Sequence, residues 1–139
     1  MSRRADRLVS VSREIHARPE LNFEEVFAHD LLCSVLEDEG LPVVRHAYGV
    51  DTAFEVSIGT DGPEVLVLLE YDALPGIGHG CGHNVIAGAG LGAGLAAASL
   101  ARDLGGRLRT LGTPAEEGGG GKIALARPGA VSPGSAGMM

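Results

Sequence analysis

The order of signals along this chain predicts an α/β fold, with a largely parallel sheet flanked by helices. Two observations carry that prediction. After two leading helical patterns, the chain from Pro42 onward alternates strand, glycine-rich loop, helix, strand, loop and helix, the pattern of parallel strands joined by helical crossovers. Val65 to Leu69 is also a continuous apolar run, as a strand covered on both faces requires.

The elements follow in order. From about Asp6 to Ala17 the chain reads as an amphipathic helix, with Leu8, Val11 and Ile15 on one stripe and Arg18-Pro19 ending it. Asn22 offers an N-cap with Glu25 at the third helical position, a capping box. The second helix should run to about Glu39, with Phe23, Phe27, Leu31 and Val35 inward and Gly40 as its stop. Val43 to Tyr48 and Thr52 to Ile58 are β-rich, and Gly59-Thr60-Asp61-Gly62-Pro63 is a dense turn signal. After the apolar strand and a glycine-rich loop, Val85 to Ala101 is uncharged and mostly Gly and Ala. It stops just short of membrane-spanning length. Gly88 with Gly92 and Gly90 with Gly94 suit a buried, closely packed core helix better. A strand around Leu108 to Leu111, the loop Gly118 to Gly121 and a short helix Lys122 to Arg127 complete the pattern. Pro128 to Met139 shows no clear element.

Composition narrows the function. The 139 residues carry 45% hydrophobic and 21% charged side chains, as a globular chain does. A formal charge of −7 with eleven scattered Lys and Arg offers no footprint for nucleic acid and no attraction to an anionic membrane. Two cysteines, Cys33 and Cys81, do not make a secreted disulfide framework. Ser2-Arg3-Arg4 resembles a twin-arginine signal, but Asp6, Arg7 and Arg13 occupy the place of its apolar stretch. The expectation is a cytoplasmic protein.

Reactive groups in open α/β sheets gather in loops beyond the carboxyl ends of strands. Two such loops are loaded here. The first is Glu70-Tyr71-Asp72-Ala73-Leu74-Pro75 followed by Gly78-His79-Gly80-Cys81-Gly82-His83-Asn84; the second is Thr113-Pro114-Ala115-Glu116-Glu117 and four glycines. Cys81 and His83, separated by one glycine, can face one ion, and thiolate, imidazole and carboxylate all suit zinc or a neighbouring transition metal. The bland reading is a structural turn with Cys81 as a small buried hydrophobe. Glu116-Glu117 is either a solvated pair or one metal-binding carboxylate beside a general base. Asp72 either caps a turn before Pro75 or orients a metal ligand. His79 is a further candidate for a contact to substrate or to a ligand, whereas His16, His29 and His46 fall in helical or β-like stretches and suit surface or packing roles. Nucleotide binding through the glycine loops is disfavoured. No Gly-Lys-Ser/Thr follows a strand.

Taken together and in this order, these three motifs resemble the amidohydrolase branch of peptidase family M-twenty, which includes aminobenzoyl-glutamate hydrolases, hippurate and auxin-conjugate hydrolases and certain dipeptidases. Ile15-His16-Ala17-Arg18-Pro19-Glu20-Leu21 followed by Glu24-Glu25 is similar to that branch's N-terminal motif, so the resemblance runs from about residue 10 to residue 127. His79-Gly80-Cys81-Gly82-His83-Asn84, with Asn rather than Asp at position 84, looks closest to the aminobenzoyl-glutamate hydrolase and dipeptidase subgroup. The resemblance implies Cys81, His83 and Glu117 as metal ligands, Glu116 as general base and Asp72 as the aspartate that steers the metal site. Glu70 receives no ligand role, because this branch lacks the ligand histidine that other relatives have there.

The resemblance further implies a zinc-peptidase-like sheet, a pair of divalent ions (zinc or manganese), a small acyl-amino acid or dipeptide as substrate, and a homodimer in the full-length form. Family members are several-fold longer, and two further histidine ligands, the lid or dimerisation domain and the rest of the sheet have no counterpart in Lys122 to Met139. Residues 1–139 are thus expected to be the N-terminal part of a catalytic domain, catalytically silent alone. The alternative is a non-catalytic metal-binding or scaffolding remnant of such an enzyme.

Overall fold

The structure is a computed structural model that describes residues 3–131, 133 and 135–138. Helix α1 (Arg3–Ala17) and helix α2 (Val26–Asp38) precede strands β1 (Val43–Arg45), β2 (Phe54–Ile58) and β3 (Glu64–Leu69). Helix α3 (His83–Leu104), strand β4 (Arg107–Gly112), helix α4 (Gly121–Ala126) and strand β5 (Ala136–Met138) follow. The five strands form one sheet in the order β1-β2-β4-β3-β5. β3 pairs in parallel with both β4 and β5, whereas β2 runs antiparallel to β4 and β1 antiparallel to β2. The α/β architecture read from the sequence holds, with an antiparallel margin formed by the two strands that no helix separates.

Alternation along β3 sorts the core into two layers. Val67 and Leu69 face α1, α2 and α3 in a cluster with Val11, Ile15, Leu32, Leu36 and Leu91. Leu66 joins Leu111 and Leu125 in a second cluster on the other face. The continuous apolar run is therefore a two-faced interior strand. The glycines of α3 divide by face as well. A Cβ on Gly90 would lie 2.8 Å from a Leu69 side-chain carbon, and one on Gly94 2.8 Å from Thr110 Oγ1, so these two let the helix settle on the sheet. Gly92 meets Leu8 of α1 in the same way. By length and composition α3 could cross a membrane. Its glycine faces are instead occupied by the sheet and α1.

Four local expectations are corrected. Helix α2 begins at Val26, so no capping box forms, and Phe23 lies outside the helix, 42% exposed with φ 63°. The orphan amides of Phe27 and Ala28 are instead satisfied by the carboxylate of Glu20, at 2.9 and 3.0 Å. The strand expected to reach Tyr48 ends at Arg45, because His46 and Tyr48 adopt left-handed backbone and form a 3-10 turn, Ala47–Gly49. In the tail, where no element was expected, Ala136–Met138 pairs with β3. An Ala-Gly-Met segment carries no β-branched signal, and the strand exists because β3 presents an open edge to it. The helix stop at Gly40 stands: with φ 75° it accompanies bonds from its own amide to Glu37 and from Leu41 to Leu36, a Schellman ending.

Candidate metal centre

Adjacent parallel strands β3 and β4 end side by side, and both loaded loops leave from that edge. The Thr113 amide and hydroxyl both bond to the Leu69 carbonyl, at 2.8 and 3.0 Å, and tie the two loop origins together. Helix α3 starts at the same edge. Gly82, at φ 87°, turns the chain into the helix and makes His83 its first residue. Asn84 points away from the cluster and anchors α3 to α1 through Ser12, at 3.0 Å.

The donor atoms of Cys81, His83 and Glu117 all lie within 4.8 Å of one another, and so do those of Glu70, His83 and Glu116. His83 is the shared centre and is buried. Its Nδ1 lies 2.9 Å from the Asp72 backbone carbonyl, which can only accept, so Nδ1 carries the proton and Nε2 faces the cluster. Three carboxylates surround Nε2, with Glu70 at 3.2 Å and Glu116 and Glu117 each at 3.7 Å. Asp72 is fully buried; its Oδ2 accepts the Glu117 amide at 3.0 Å. Its Oδ1 sits 3.1 Å from His83 Nδ1, off the line of a hydrogen bond, and has no hydrogen-bond partner.

Two further residues join the cluster: Glu70, to which the resemblance gives no ligand role although its carboxylate lies among the possible donors, and Lys122, to which the sequence gives no role. Buried Glu70 contacts both His83 Nε2 and the ammonium of Lys122, whose Nζ also lies 3.9 Å from Glu116. Lys122 reaches there because the glycine run is packed flat: a Cβ on Gly121 would come within 1.7 Å of the Pro114 carbonyl oxygen. A Glu just past a strand and a Lys at the end of a glycine run carry no local signal of pairing. Their contact spans 52 residues.

Four carboxylates, a thiol and one ammonium in so small a volume leave a surplus of negative charge. That surplus fits a bound divalent cation, and sulfur, imidazole and carboxylate are the donor set zinc prefers. Burial, with the Glu117 carboxylate adding to it, pushes the Cys81 thiol up, so a metal ion must displace a proton there. His79 sits close behind, buried and without a hydrogen bond of full geometry at either ring nitrogen, and its burial lowers its pKa. Of the remaining histidines, His29 is buried against Phe54 and stacked on His46, a packing role. His16 lies exposed at the end of α1.

No family model matches the chain. Individual relatives do. It is 44% identical over 140 residues to a Xaa-Arg dipeptidase of Mus musculus, an alignment covering 91% of this chain and 32% of that protein. It is 34% identical to a p-aminobenzoyl-glutamate hydrolase chain of Escherichia coli, over 88% of this chain and 30% of that one. A dinuclear metal-binding peptidase of the M-twenty family from Bacillus subtilis superposes with a TM-score of 0.85 at 27% identity, covering 97% of this chain and 42% of that chain. The chain thus spans about a third of the length of the curated relatives it matches. It is a relative of the M-twenty hydrolases, in sequence over 91% of its residues and in fold over 97%.

Proposed function

We propose that this M-twenty relative carries the metal-binding half of an amidohydrolase site that cleaves amide bonds in dipeptides or N-acyl amino acids. The observation that supports the reading most directly is the convergence of Cys81, His83 and Glu117 from two loops and a helix start onto one point. In this reading those three hold a divalent ion, zinc or manganese, as part of a two-ion centre. A bound metal ion polarises the scissile carbonyl and lowers the pKa of a water molecule.

The chain's own residues then have distinct tasks. His83 presents Nε2 because Nδ1–H is engaged by Asp72. Asp72 also holds the Glu117 backbone, fixing the second loop against the first. Glu116, the more exposed of the two adjacent glutamates, faces the mouth of the cluster, where its carboxylate takes a proton from water and returns it to the departing amine. Lys122 holds Glu70, whose carboxylate, like the unprotonated His83 Nε2 beside it, is an acceptor facing the cluster. The reading includes a cytoplasmic location, which the two free cysteines suit, and a homodimeric longer form.

The test separates binding from chemistry. Glu117→Gln is expected to weaken zinc binding, because a charged ligand becomes a neutral amide. Glu116→Gln is expected to keep the metal and, in a form that turns over a dipeptide or acyl-amino acid, to lose roughly 100-fold or more in rate. Metal content measured beside turnover decides it; a metal-free Glu116→Gln with a loaded, inactive Glu117→Gln would reverse the two roles. Native metal binding with no turnover on any such substrate in the longer form would favour a purely metal-binding protein.

A further inference from the structure

Glu25 is fully buried, yet it lies outside the metal cluster and none of the roles above uses it. Its two carboxylate oxygens are both engaged. One accepts the Thr52 hydroxyl at 3.0 Å, and the other accepts the backbone amide of Ala115 at 2.8 Å across 90 residues of sequence. Ala115 immediately precedes Glu116-Glu117, and its φ of 56° is left-handed, a conformation that side-chain-bearing residues rarely adopt. Its carbonyl is held from the other side by the Gly121 amide at 3.1 Å. A residue gripped at both its amide and its carbonyl in an unfavourable conformation is over-determined by its surroundings, as such conformations must be to persist.

We propose that Glu25 is a positioning residue: by holding the Ala115 amide it sets the direction in which Glu116 and Glu117 leave strand β4. With Ala115 left-handed, the chain reverses so that the Glu117 amide meets Asp72 and both glutamates face His83. Released from Glu25, Ala115 relaxes toward ordinary backbone and the two glutamates swing off the cluster. The consequence for metal binding rests on the function proposed above. The clamp itself does not.

The experiment therefore uses two readouts on the whole chain. Amide hydrogen exchange is followed by NMR at Ala115 and Glu117, with amides of β3 and β4 as internal controls, and cobalt is titrated while the thiolate-to-cobalt absorption of Cys81 is recorded. In Glu25→Ala, exchange at Ala115 and Glu117 is expected to accelerate about tenfold or more while the strand controls stay within about twofold. Cobalt affinity is expected to fall at least about fivefold. Glu25→Gln, whose side-chain oxygen can still accept from Ala115 and whose amide can donate to Thr52, is expected to restore both readouts. Unchanged exchange at Glu117 in folded Glu25→Ala would overturn the proposal. So would Glu25→Gln behaving like Glu25→Ala, or faster exchange with native cobalt affinity. If the native chain takes up no cobalt, the metal reading fails and the exchange data alone judge the clamp. If Glu25→Ala does not fold, Glu25→Asp takes its place with the same expectations, since it keeps the charge but is one methylene too short to reach Ala115.

Discussion

Replacing Asp72 by Asn keeps the shape of the side chain and removes only its charge and one acceptor. The Glu117 amide donates to Oδ2 at 3.0 Å, and the partly positive edge of the His83 ring lies beside Oδ1, with Nδ1 at 3.1 Å but its proton on the Asp72 backbone carbonyl. A carboxylate is negative at both ends, whereas an asparagine has one acceptor end and one donor end. Asn can keep the Glu117 bond only by setting its NH2 beside the His83 ring edge, and in the other orientation it loses that bond. Hydrogen bonds to charged groups are worth about 1.5 to 3 kcal/mol. Loss of a partner that orients a metal ligand costs roughly 10- to 100-fold in metal affinity.

The structure points to the lower half of that range. His83 Nδ1 keeps its bond to the Asp72 backbone carbonyl at 2.9 Å, which no side-chain change removes, so the tautomer that frees Nε2 survives. The expected loss is about tenfold, or roughly 1.4 kcal/mol. Cobalt titration followed through the Cys81 charge-transfer band measures it, with zinc affinity obtained by competition and circular dichroism confirming the fold. An affinity within about twofold of native would refute the argument that Asp72 wires the cluster together. A loss as large as that of His83→Ala would also refute it, by showing that the backbone carbonyl does not hold the ring.

Three further outcomes follow from the same structure. A Cβ on Gly112 would lie 2.2 and 2.3 Å from ring carbons of Phe54, which is fully buried and stacked on Tyr71 at 6.3 Å. Gly112→Ala should therefore cost at least the upper end of about 1 to 3 kcal/mol in urea unfolding, and Phe54→Leu should recover about 1 kcal/mol or more of it; a cost under about 0.5 kcal/mol would contradict the close approach. Burial pushes the Cys33 thiol up to about 12 while Cys81 stays partly exposed, so alkylation near neutral pH should modify Cys81 alone and bound metal should protect it. Burial also raises the Glu25 carboxyl above its ordinary 4.5. In the folded chain it then holds its proton where the unfolded chain has released it, so its contribution to stability declines as pH climbs from 4.5 through the raised value. The stability of Glu25→Gln relative to native should grow across that window and level off above it, and a difference independent of pH would show that Glu25 titrates normally.

What could be read from the sequence was whatever a short window encodes. Leu8, Val11 and Ile15 announce their helix by spacing alone, the apolar run of β3 announces a two-faced strand, and Gly40 marks a helix end through a conformation that glycine adopts freely. The cluster could be located for the same reason, since Cys81 and His83 are two residues apart and Glu116 and Glu117 adjacent. What could not be read were pairings between distant segments. Asn22 and Glu25 have the spacing of a capping box, but the Glu25 carboxylate finds better partners in Thr52 and Ala115. The cap falls to Glu20, whose position before the helix follows no standard spacing. Similarly, Glu70 and Lys122 meet only because β3 and the glycine run end at the same sheet edge.

The errors are confined to segments whose conformation is decided by a neighbour rather than by their own residues. The tail strand Ala136–Met138 and the 3-10 turn after β1 lie on the two margins of the sheet, where local propensity is weak and pairing decides. The cluster lies elsewhere, at the carboxyl ends of interior strands β3 and β4 and the start of the longest helix, each of which the hydrophobic pattern specifies strongly. Misreading a margin therefore does not move the site. By the same logic, Glu25 outside the cluster and Lys122 within it are residues a sequence window misses, because each acts through a contact that only the assembled sheet edge creates.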